Sequence, residues 1–175
     1  MDGCPFCAIV RGEAPASRVL QDAHCVAFLD IHPVRPGHAL VVPRRHAVFL
    51  HELTPDERAF FRDADPLGYI LFKRNCETRD QMRALTDSRV GVAQGAAGLP
   101  RQGGTLLVND GPAAGQHVPH VHLHVIPRAR GDLGAVARAY AARLFNRFGR
   151  AADRAALDAL AARIRAHLAS SGSAP

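Results

Sequence analysis

The amino-acid sequence predicts an α+β fold in which helices pack against an antiparallel β-sheet. Residues 18–22 and 25–30 are two strand-like segments joined by a short turn, which is the pattern of a β-hairpin, and hairpins join antiparallel strands. Residues 105–108 and 120–126 are two further apolar segments, joined by a glycine-rich loop. Towards the C-terminus, apolar side chains recur at helical spacing instead. Strands therefore dominate the first part of the chain and helices the last part.

The remaining elements follow from local patterns. Residues 39–43 form an apolar strand that ends at a proline. The segment Thr54-Pro55-Asp56-Glu57 begins a helix, because its threonine and glutamate can form a capping box around a proline at the first helical position. A second helical stretch is predicted over 67–85, and 86–104 form an irregular connection rich in glycine and alanine.

The C-terminal region is predicted to form two amphipathic helices. Apolar residues recur along 133–148 and again along 153–168, with arginines between them. Both apolar stripes are interpreted as packing surfaces, within the domain or at an oligomer interface, rather than as ligand sites. Residues 170–175 are serine-rich, end in proline and are expected to be disordered.

Composition limits the classes of protein to which the chain can belong. A chain of 175 residues can form one domain with a real core. No segment approaches the roughly 20 apolar residues that span a bilayer, and the first residues lack the pattern of a signal peptide. We therefore expect a cytoplasmic protein with no membrane partner. The net charge of +6 could suggest a nucleic-acid partner, but a small phosphorylated ligand accounts for its sign equally well. No nucleic-acid partner is expected, because the sequence shows no helix-turn-helix or aromatic-basic motif.

The most informative segment is 120–126, which reads His-Val-His-Leu-His-Val-Ile. Alternation at a period of two is typical of a β-strand, in which every second side chain points to the same face. His120, His122 and His124 are therefore predicted to form a row of imidazoles backed by an apolar face. Imidazole is the side chain best suited to nucleophilic, acid–base or metal chemistry near neutral pH. The central residue of the row, His122, has a partner on each side and is the best candidate for a nucleophile.

The loop before this segment contains Gly111 and Gly115 within a run of turn-forming residues. Glycines allow a ligand to approach the backbone closely, and exposed N–H groups in such loops favour anions. A loop of this kind that leads directly into three aligned histidines predicts an anionic ligand above the imidazoles.

The pair Cys4-x-x-Cys7 is interpreted as a metal-binding or redox motif rather than as a structural disulfide. A thioredoxin-like motif lies between a strand and a long helix, whereas this pair lies at the start of the chain. A tetrahedral zinc site needs two more ligands, and His46 and His120 are candidates. The alternatives are an empty pair of buried thiols and a thiol–disulfide exchange site.

With these residues in place, the sequence resembles the histidine triad (HIT) superfamily. Residues 120–126 satisfy every position of its His-φ-His-φ-His-φ-φ signature, in which φ is apolar. The segments 27–31, 36–38 and 41–46 also resemble this family and occur in the expected order. The likeness covers roughly 4–54 and 104–128, and it points to nucleoside phosphoramidases and dinucleoside polyphosphate hydrolases of the bacterial zinc-containing type.

The resemblance implies a HIT-like fold with an antiparallel sheet of about five strands. The triad lies on the concave side of this sheet and helices pack on the other side. A catalytic nucleotide-binding domain is expected over 1–132, a C-terminal helical extension packed on it over 133–169, and a homodimer. The zinc-containing members bind zinc with two cysteines, a histidine after a strand and the first histidine of the triad. The residues at those positions here are Cys4, Cys7, His46 and His120. Four protein ligands would make the zinc structural.

The resemblance also implies roles for the candidate site residues. His122 would be the nucleophile, nucleotidylated at the α-phosphate, with its other ring nitrogen held by a backbone carbonyl. The remaining residues would act as follows: His124 and Gln116 on the phosphate oxygens, together with the backbone near His117; Asn109 on the phosphate or ribose; Asp30 on the ribose hydroxyls; Phe28 and Ile31, together with Phe6, around the base; His38 behind or beside the nucleophile; and Gly115 and His120 elsewhere in the site. Phe28 and Ile31 could equally be ordinary core residues, Asp30 a strand-end cap and His38 a core histidine.

One position departs from the family pattern. His117 stands where the motif usually has serine or threonine. A histidine there could donate to phosphate, serve as a general acid, or narrow the leaving-group side.

The predicted function is a nucleotide hydrolase or transferase that releases a nucleoside 5′-monophosphate, AMP, through His122. Its substrate would be a phosphoramidate, an acyl- or sulfo-phosphate or a dinucleoside polyphosphate of a purine nucleotide, and no catalytic metal is expected. Two alternatives remain. A zinc metallohydrolase could use the His-x-His segment with Asp30 or His38. A nucleotide sensor or adaptor could bind AMP without turnover.

Overall fold

The structure is a computed structural model, and it describes residues 3–58, 104–144 and 151–170. Five strands form one sheet in which every neighbouring pair is antiparallel. We number them β1 (Arg18–Gln21), β2 (Cys25–Leu29), β3 (Ala39–Pro43), β4 (Gly104–Val108) and β5 (Leu123–Pro127), in the spatial order β1-β2-β3-β5-β4. The predicted antiparallel sheet of five strands is confirmed.

The helices within the described residues are α1 (Pro5–Arg11), α2 (Leu133–Leu144) and α3 (Arg154–Ser170), with short 3-10 turns at Leu50–Glu52 and Pro112–Ala114. A further helical turn begins at residue 55. Its predicted capping box is present, because Thr54 Oγ1 accepts from the Glu57 N–H at 3.3 Å and Glu57 Oε2 accepts from the Thr54 N–H at 2.7 Å. No helix in the described ranges is long and apolar enough to cross a bilayer.

Some predictions fall on other parts of the chain. The helical stretch over 67–85, nearly all of the connection over 86–104, the end of the helix predicted over 133–148 and the last five residues of the tail lie outside the described residues. Residue 170 ends α3.

One face of the sheet, here called the site face, carries the side chains that surround the candidate site. Val26 and Phe28 of β2 lie beside Val42 and Leu40 of β3 in the register of the two strands, and all four are buried in one cluster. Helix α1 packs on this face through Phe6, whose ring meets that of Phe28 edge to face at 5.7 Å. A short helix therefore shares the site face with the triad.

The opposite face buries the main core, and α3 packs on this face against β1 and β2. Four of the five strands each contribute a side chain to one buried cluster. These residues are Ala27 of β2, Val41 of β3, Val108 of β4 and Leu123 of β5. Helix α3 adds a second cluster against Val19 of β1 and Leu29 of β2, through the buried residues Leu157, Ala161, Ile164 and Leu168. The predicted apolar stripe of this helix is thus a packing surface within the same chain.

The histidine segment differs from its prediction in one respect, because β5 begins only at Leu123. His120 and His122 precede the strand, so the three histidines do not form one row along a strand. The reason lies in the neighbouring strand. Pro43 has no N–H to donate to the ladder, and its carbonyl accepts from Nε2 of His120 at 3.0 Å. The carbonyl of His120 is in turn bonded to the ring of His122.

Candidate active site and metal centre

A cavity of about 600 Å³ lies over the site face. It is lined by residues from the end of β2, from the loop after β4 and from the histidine segment. Most of the predicted site residues are among them: Phe28, Asp30, Ile31, Asn109, Gly115, His117, His122 and His124. The fold therefore brings together side chains that are up to 96 positions apart in the sequence, from Phe28 to His124.

His122 is held in one orientation by the backbone. Its Nδ1 lies 2.8 Å from the carbonyl oxygen of His120, and because a carbonyl only accepts, Nδ1 carries the proton. Nε2 is then the unprotonated nitrogen of a ring that lines the cavity. Burial lowers the pKa of His122, and the charge that His117 can carry lowers it further. His122 is thus a neutral imidazole with its lone pair on Nε2, which is the form that can act as a nucleophile.

His124 is connected to two other buried residues. Its Nδ1 lies 3.0 Å from Nε2 of His38. The other nitrogen of His38, Nδ1, accepts from the N–H of Val34 at 3.1 Å and lies 3.3 Å from Oδ2 of Asp30. Since Nδ1 of His38 accepts, its Nε2 carries the proton and donates to His124, which then carries its own proton on Nε2. His124 is thereby prepared as a donor for an anionic oxygen.

Asp30, His38 and His124 also lie close enough together to be considered as metal ligands. Nε2 of His38 and Nδ1 of His124 lie 3.0 Å apart, which is a hydrogen-bond distance. Nδ1 of His38 accepts from the Val34 N–H, so Nε2 carries the proton and offers no lone pair to a metal. The hydrogen bonding therefore favours a hydrogen-bonded chain at this place over the zinc-binding alternative.

The apolar wall of the cavity is aromatic. Phe6 of α1 meets Phe28 at 5.7 Å and His122 at 5.1 Å, in both cases edge to face. Phe28 is both core and cavity wall, since it is 3% exposed and still lines the cavity. Ile31 is 41% exposed at the same place, so it is not an ordinary core residue.

The loop between β4 and β5 is braced internally. Gly111 and Gly115 adopt positive φ angles of 89° and 83°, which glycine tolerates. Gln116 accepts from the Gly111 N–H at 2.8 Å and donates to the Val48 carbonyl at 2.9 Å. It is not among the cavity-lining residues, so its predicted phosphate contact stays a prediction, whereas its bracing role is visible.

The same loop does not present its N–H groups as expected. Those of Gly111, Ala114, Gly115 and Gln116 all bond to acceptors within the loop. The prediction that exposed N–H groups favour an anion here is therefore wrong for these four groups. Hydrogen-bond donors at this end of the cavity come instead from side chains, because Asn109 and His117 both line it.

Cys4, Cys7, His46 and His120 converge into one cluster, as predicted for a metal site. Nδ1 of His120 lies 3.5 Å from the sulfur of Cys4 and 3.6 Å from that of Cys7, and Nδ1 of His46 lies 3.2 Å from the sulfur of Cys7. Sulfur and nitrogen ligands of one tetrahedral zinc lie about 3.6 Å apart, from Zn–S of about 2.3 Å and Zn–N of about 2.05 Å. The four side chains therefore fit a tetrahedral zinc ion.

His120 has the hydrogen bonding typical of a metal ligand. Its Nε2–H donates to the Pro43 carbonyl at 3.0 Å, which leaves the lone pair of Nδ1 facing the two sulfurs. Burial lowers the pKa of His120 to about 4, so the ring is neutral. It is not among the residues that line the cavity. Its position favours the predicted metal-binding role over direct contact with a substrate.

Phe6, predicted around the base, lines the cavity, and so do several residues to which the sequence assigned no role. Phe6 lies between Cys4 and Cys7 in the sequence, so a metal cluster that joins these cysteines to His120 also brings Phe6 close to the histidine segment. Arg154, the first residue of α3, also lines the cavity. No sequence signal marks Arg154, because its position depends on how α3 packs against the sheet.

Comparison with known proteins agrees with this geometry. The model of the HIT domain family matches residues 11–131. The chain belongs to the histidine triad (HIT) family. This HIT protein is 38% identical over 135 residues to the uncharacterised HIT-like protein Rv1262c of Mycobacterium tuberculosis, which covers 77% of this chain and 78% of that protein.

Two further relatives bear on activity and metal. The adenosine 5′-monophosphoramidase HNT1 of Saccharomyces cerevisiae is 33% identical over 133 residues, 76% of this chain and 67% of that protein. The crystal structure of a Zn-bound histidine triad family protein from Mycobacterium smegmatis is similar in fold, with a TM-score of 0.62 and 31% identity over 98% of this chain and 96% of that one. The family thus includes an enzyme that acts on nucleotides and a protein that binds zinc.

Proposed function

We propose that this HIT protein is a nucleotide hydrolase or transferase that releases a nucleoside 5′-monophosphate, with AMP as the reference product, through a covalent intermediate on Nε2 of His122. The observation that carries the proposal is the orientation of His122. Its Nδ1–H is bound to the His120 carbonyl, and its ring forms part of the wall of the cavity. The adenosine phosphoramidase among the relatives supports this substrate class.

The reaction would proceed in two displacements. The lone pair on Nε2 of His122 attacks the α-phosphorus, and the bond from phosphorus to the leaving nitrogen or oxygen breaks, with its electron pair staying on the leaving atom. The ring then carries a positive charge, which the His120 carbonyl stabilises through Nδ1–H. Water next attacks the phosphorus, the N–P bond breaks, and its electron pair returns to Nε2.

Two other side chains have roles in this scheme. Protonated His117 gives its proton to the leaving atom and recovers one from the attacking water, so that protons balance over the cycle. His124 donates from Nε2 to an α-phosphate oxygen, in the orientation that its bond to His38 imposes. Asp30 would accept from the ribose hydroxyls, and Phe28 and Ile31 would contact the base.

The cluster of Cys4, Cys7, His46 and His120 is proposed to hold a structural zinc ion. Four protein ligands complete a tetrahedral shell and leave no position for substrate. The ion would cross-link α1 to the sheet, because Cys4 and Cys7 lie at the start of α1 and His46 follows β3. A homodimer and a cytoplasmic location stay predictions from the sequence.

The proposal is tested with an equal mixture of an adenosine 5′-phosphoramidate and a diadenosine polyphosphate. Product release is followed by mass spectrometry for the wild type, for His122→Asn and for His24→Asn, a matched control at an exposed histidine outside the cavity lining. We expect AMP from the wild type and the control but not from His122→Asn, with circular dichroism showing that all three are folded. AMP formation by His122→Asn would contradict the proposal. Nucleotide binding without turnover by the wild type would also contradict it, and would favour the sensor alternative.

A further inference from the structure

The first residue of α3 contributes a positive charge to the cavity. Arg154 lines the cavity together with Leu29, Asp30 and Ile31 at the end of β2. The matched HIT domain ends at residue 131, so Arg154 belongs to a segment outside it. Helix α3 packs on the opposite face of the sheet, and its first residue extends past the end of β2 to the cavity.

The position of Arg154 is held by two contacts. The N–H of Ala152 donates to the carbonyl of Ile31 at 2.8 Å, which joins the start of α3 to the cavity rim. The guanidinium itself donates from Nη1 to Ser17 Oγ at 3.2 Å, and the Ser17 hydroxyl donates to Asp158 at 2.6 Å. Ser17 is 2% exposed, so its hydroxyl is fixed by Asp158 and in turn orients the arginine.

Most of the donors of Arg154 are left unused by the residues that the structure describes. A guanidinium has five N–H groups. Among the residues that the structure describes, the side chain of Arg154 makes a hydrogen bond only to Ser17, and no carboxylate lies within ion-pairing distance of it. A half-buried guanidinium with unused donors favours a ligand that presents a hydrogen-bond acceptor or an anionic group to it.

The distance between Arg154 and His122 decides which part of a ligand is contacted. His122 immediately precedes β5, and β3 separates β5 from β2. Two strand spacings are about 10 Å, so β2 and β5 lie about that far apart in the sheet. The contacts of Arg154 with Ser17, and of Ala152 with Ile31, place the guanidinium at the β2 side of the cavity. This is the end of the cavity, beside Asp30 and Ile31, where the ribose and base are proposed to bind.

We propose that Arg154 is a specificity-determining residue that donates hydrogen bonds to an acceptor group at the end of the nucleotide remote from His122. Such a group is either the oxygen at position 6 of a purine, which arginine recognises together with N7, or a phosphate on the ribose. Unsubstituted AMP has neither. The inference rests on the proposed function and refines its ligand. The C-terminal helix thereby selects among nucleotides that the HIT domain alone would bind alike.

The test measures dissociation constants by calorimetry for AMP, IMP and adenosine 3′,5′-bisphosphate, with full-length protein. IMP supplies the purine oxygen and the bisphosphate supplies the ribose phosphate, so the two ligands distinguish the two sources. The variants are Arg154→Ala and Arg154→Gln, which removes the charge and keeps an amide that can reach Ser17. Arg163→Ala is the matched control, since it removes an exposed arginine of α3 that does not line the cavity.

We expect the wild type and Arg163→Ala to bind one of the two acceptor-bearing ligands about tenfold or more tightly than AMP, as one charged hydrogen bond provides. Both Arg154 variants should reduce this ratio to near one. Equal binding of all three ligands by the wild type, or a ratio unchanged in both Arg154 variants, would overturn the inference. The ratio could depend on Arg154 in a protein that does not turn over the adenosine 5′-phosphoramidate or the diadenosine polyphosphate. That outcome would support the inference and contradict the proposed function. Absence of binding of all three would contradict both.

Discussion

The backbone carbonyl of His120 accepts a hydrogen bond from Nδ1 of His122 at 2.8 Å. The ring of the same His120 faces Cys4 and Cys7 with Nδ1 and donates from Nε2 to the Pro43 carbonyl. One residue therefore belongs to the candidate metal centre through its side chain and orients the candidate nucleophile through its backbone. The two sites are adjacent but chemically distinct, and the state of one is expected to affect the other.

Loss of the metal is expected to reduce both stability and activity. Cys7→Ala removes one sulfur of the cluster, so the variant should contain less than one zinc ion per chain and should lose about 3 kcal/mol or more of unfolding free energy. Because His120 would also become less fixed, kcat should fall about tenfold or more. Elemental analysis, denaturant unfolding and steady-state kinetics measure the three effects.

The matched control for this prediction is Cys25→Ala. Cys25 is buried in the main core and is not part of the cluster, so this variant should keep its zinc and its kcat. A Cys7→Ala protein that keeps full metal content would show that the cluster is not the metal site. Full activity of a metal-depleted protein would show that the two sites are independent.

The bond between His38 and His124 is expected to matter for catalysis rather than for binding. His38→Leu removes the donor that faces Nδ1 of His124 at 3.0 Å, so His124 loses the orientation needed to donate to an α-phosphate oxygen. We expect kcat to fall about a hundredfold with little change in KM. His38→Gln, whose amide can replace the Nε2–H donor, should recover part of the loss. Equal kcat in wild type and His38→Leu would contradict this role.

Asp132 should account for part of the stability that the protein has at neutral pH and loses in acid. Its carboxylate accepts from the side chains of Arg128 and Arg35 and from the Ala129 N–H, and the hydrogen bond from Arg128 is the main reason that the pKa of Asp132 is lowered to about 2. A depressed carboxylate pKa stabilises the folded state above the unfolded pKa of about 3.9. This contribution is lost as the pH falls through about 2.

Asp132→Asn should therefore be less stable than the wild type at neutral pH, and the difference should shrink as the pH falls from about 4 to about 2. Unfolding curves in denaturant at a series of pH values measure this difference directly. A stability difference that is the same at pH 7 and at pH 2 would show that the charge of Asp132 makes no contribution.

The parts of the molecule that depend on local chemistry could be predicted from the sequence. The strand Ala39–Pro43 and the capping box at Thr54 follow from patterns within a few residues. The two cysteines of the metal cluster could be predicted from their spacing, and the resemblance to the HIT superfamily pointed to His46 and His120 as the other two ligands. The candidate nucleophile His122 follows from its place in the His-x-His-x-His segment.

The parts that depend on packing could not be predicted in this way. The strand β5 starts three residues later than the alternation suggests, because the carbonyls of Pro43 and His120 bind imidazoles instead of extending the ladder. Internal hydrogen bonds occupy N–H groups of the glycine-rich loop. The place of Arg154 in the cavity depends on how α3 packs against β1 and β2, which no local pattern encodes.

Intact-mass spectrometry of the protein during turnover detects the proposed covalent intermediate on His122 directly. Wild-type protein is mixed rapidly with an adenosine 5′-phosphoramidate and quenched at alkaline pH, where an N–P bond persists, and the modified peptide is then sequenced by fragmentation. We expect an added adenylyl group on His122 in the wild type and no adduct in His122→Asn. Turnover without any adduct, or an adduct on another residue, would contradict the proposed intermediate.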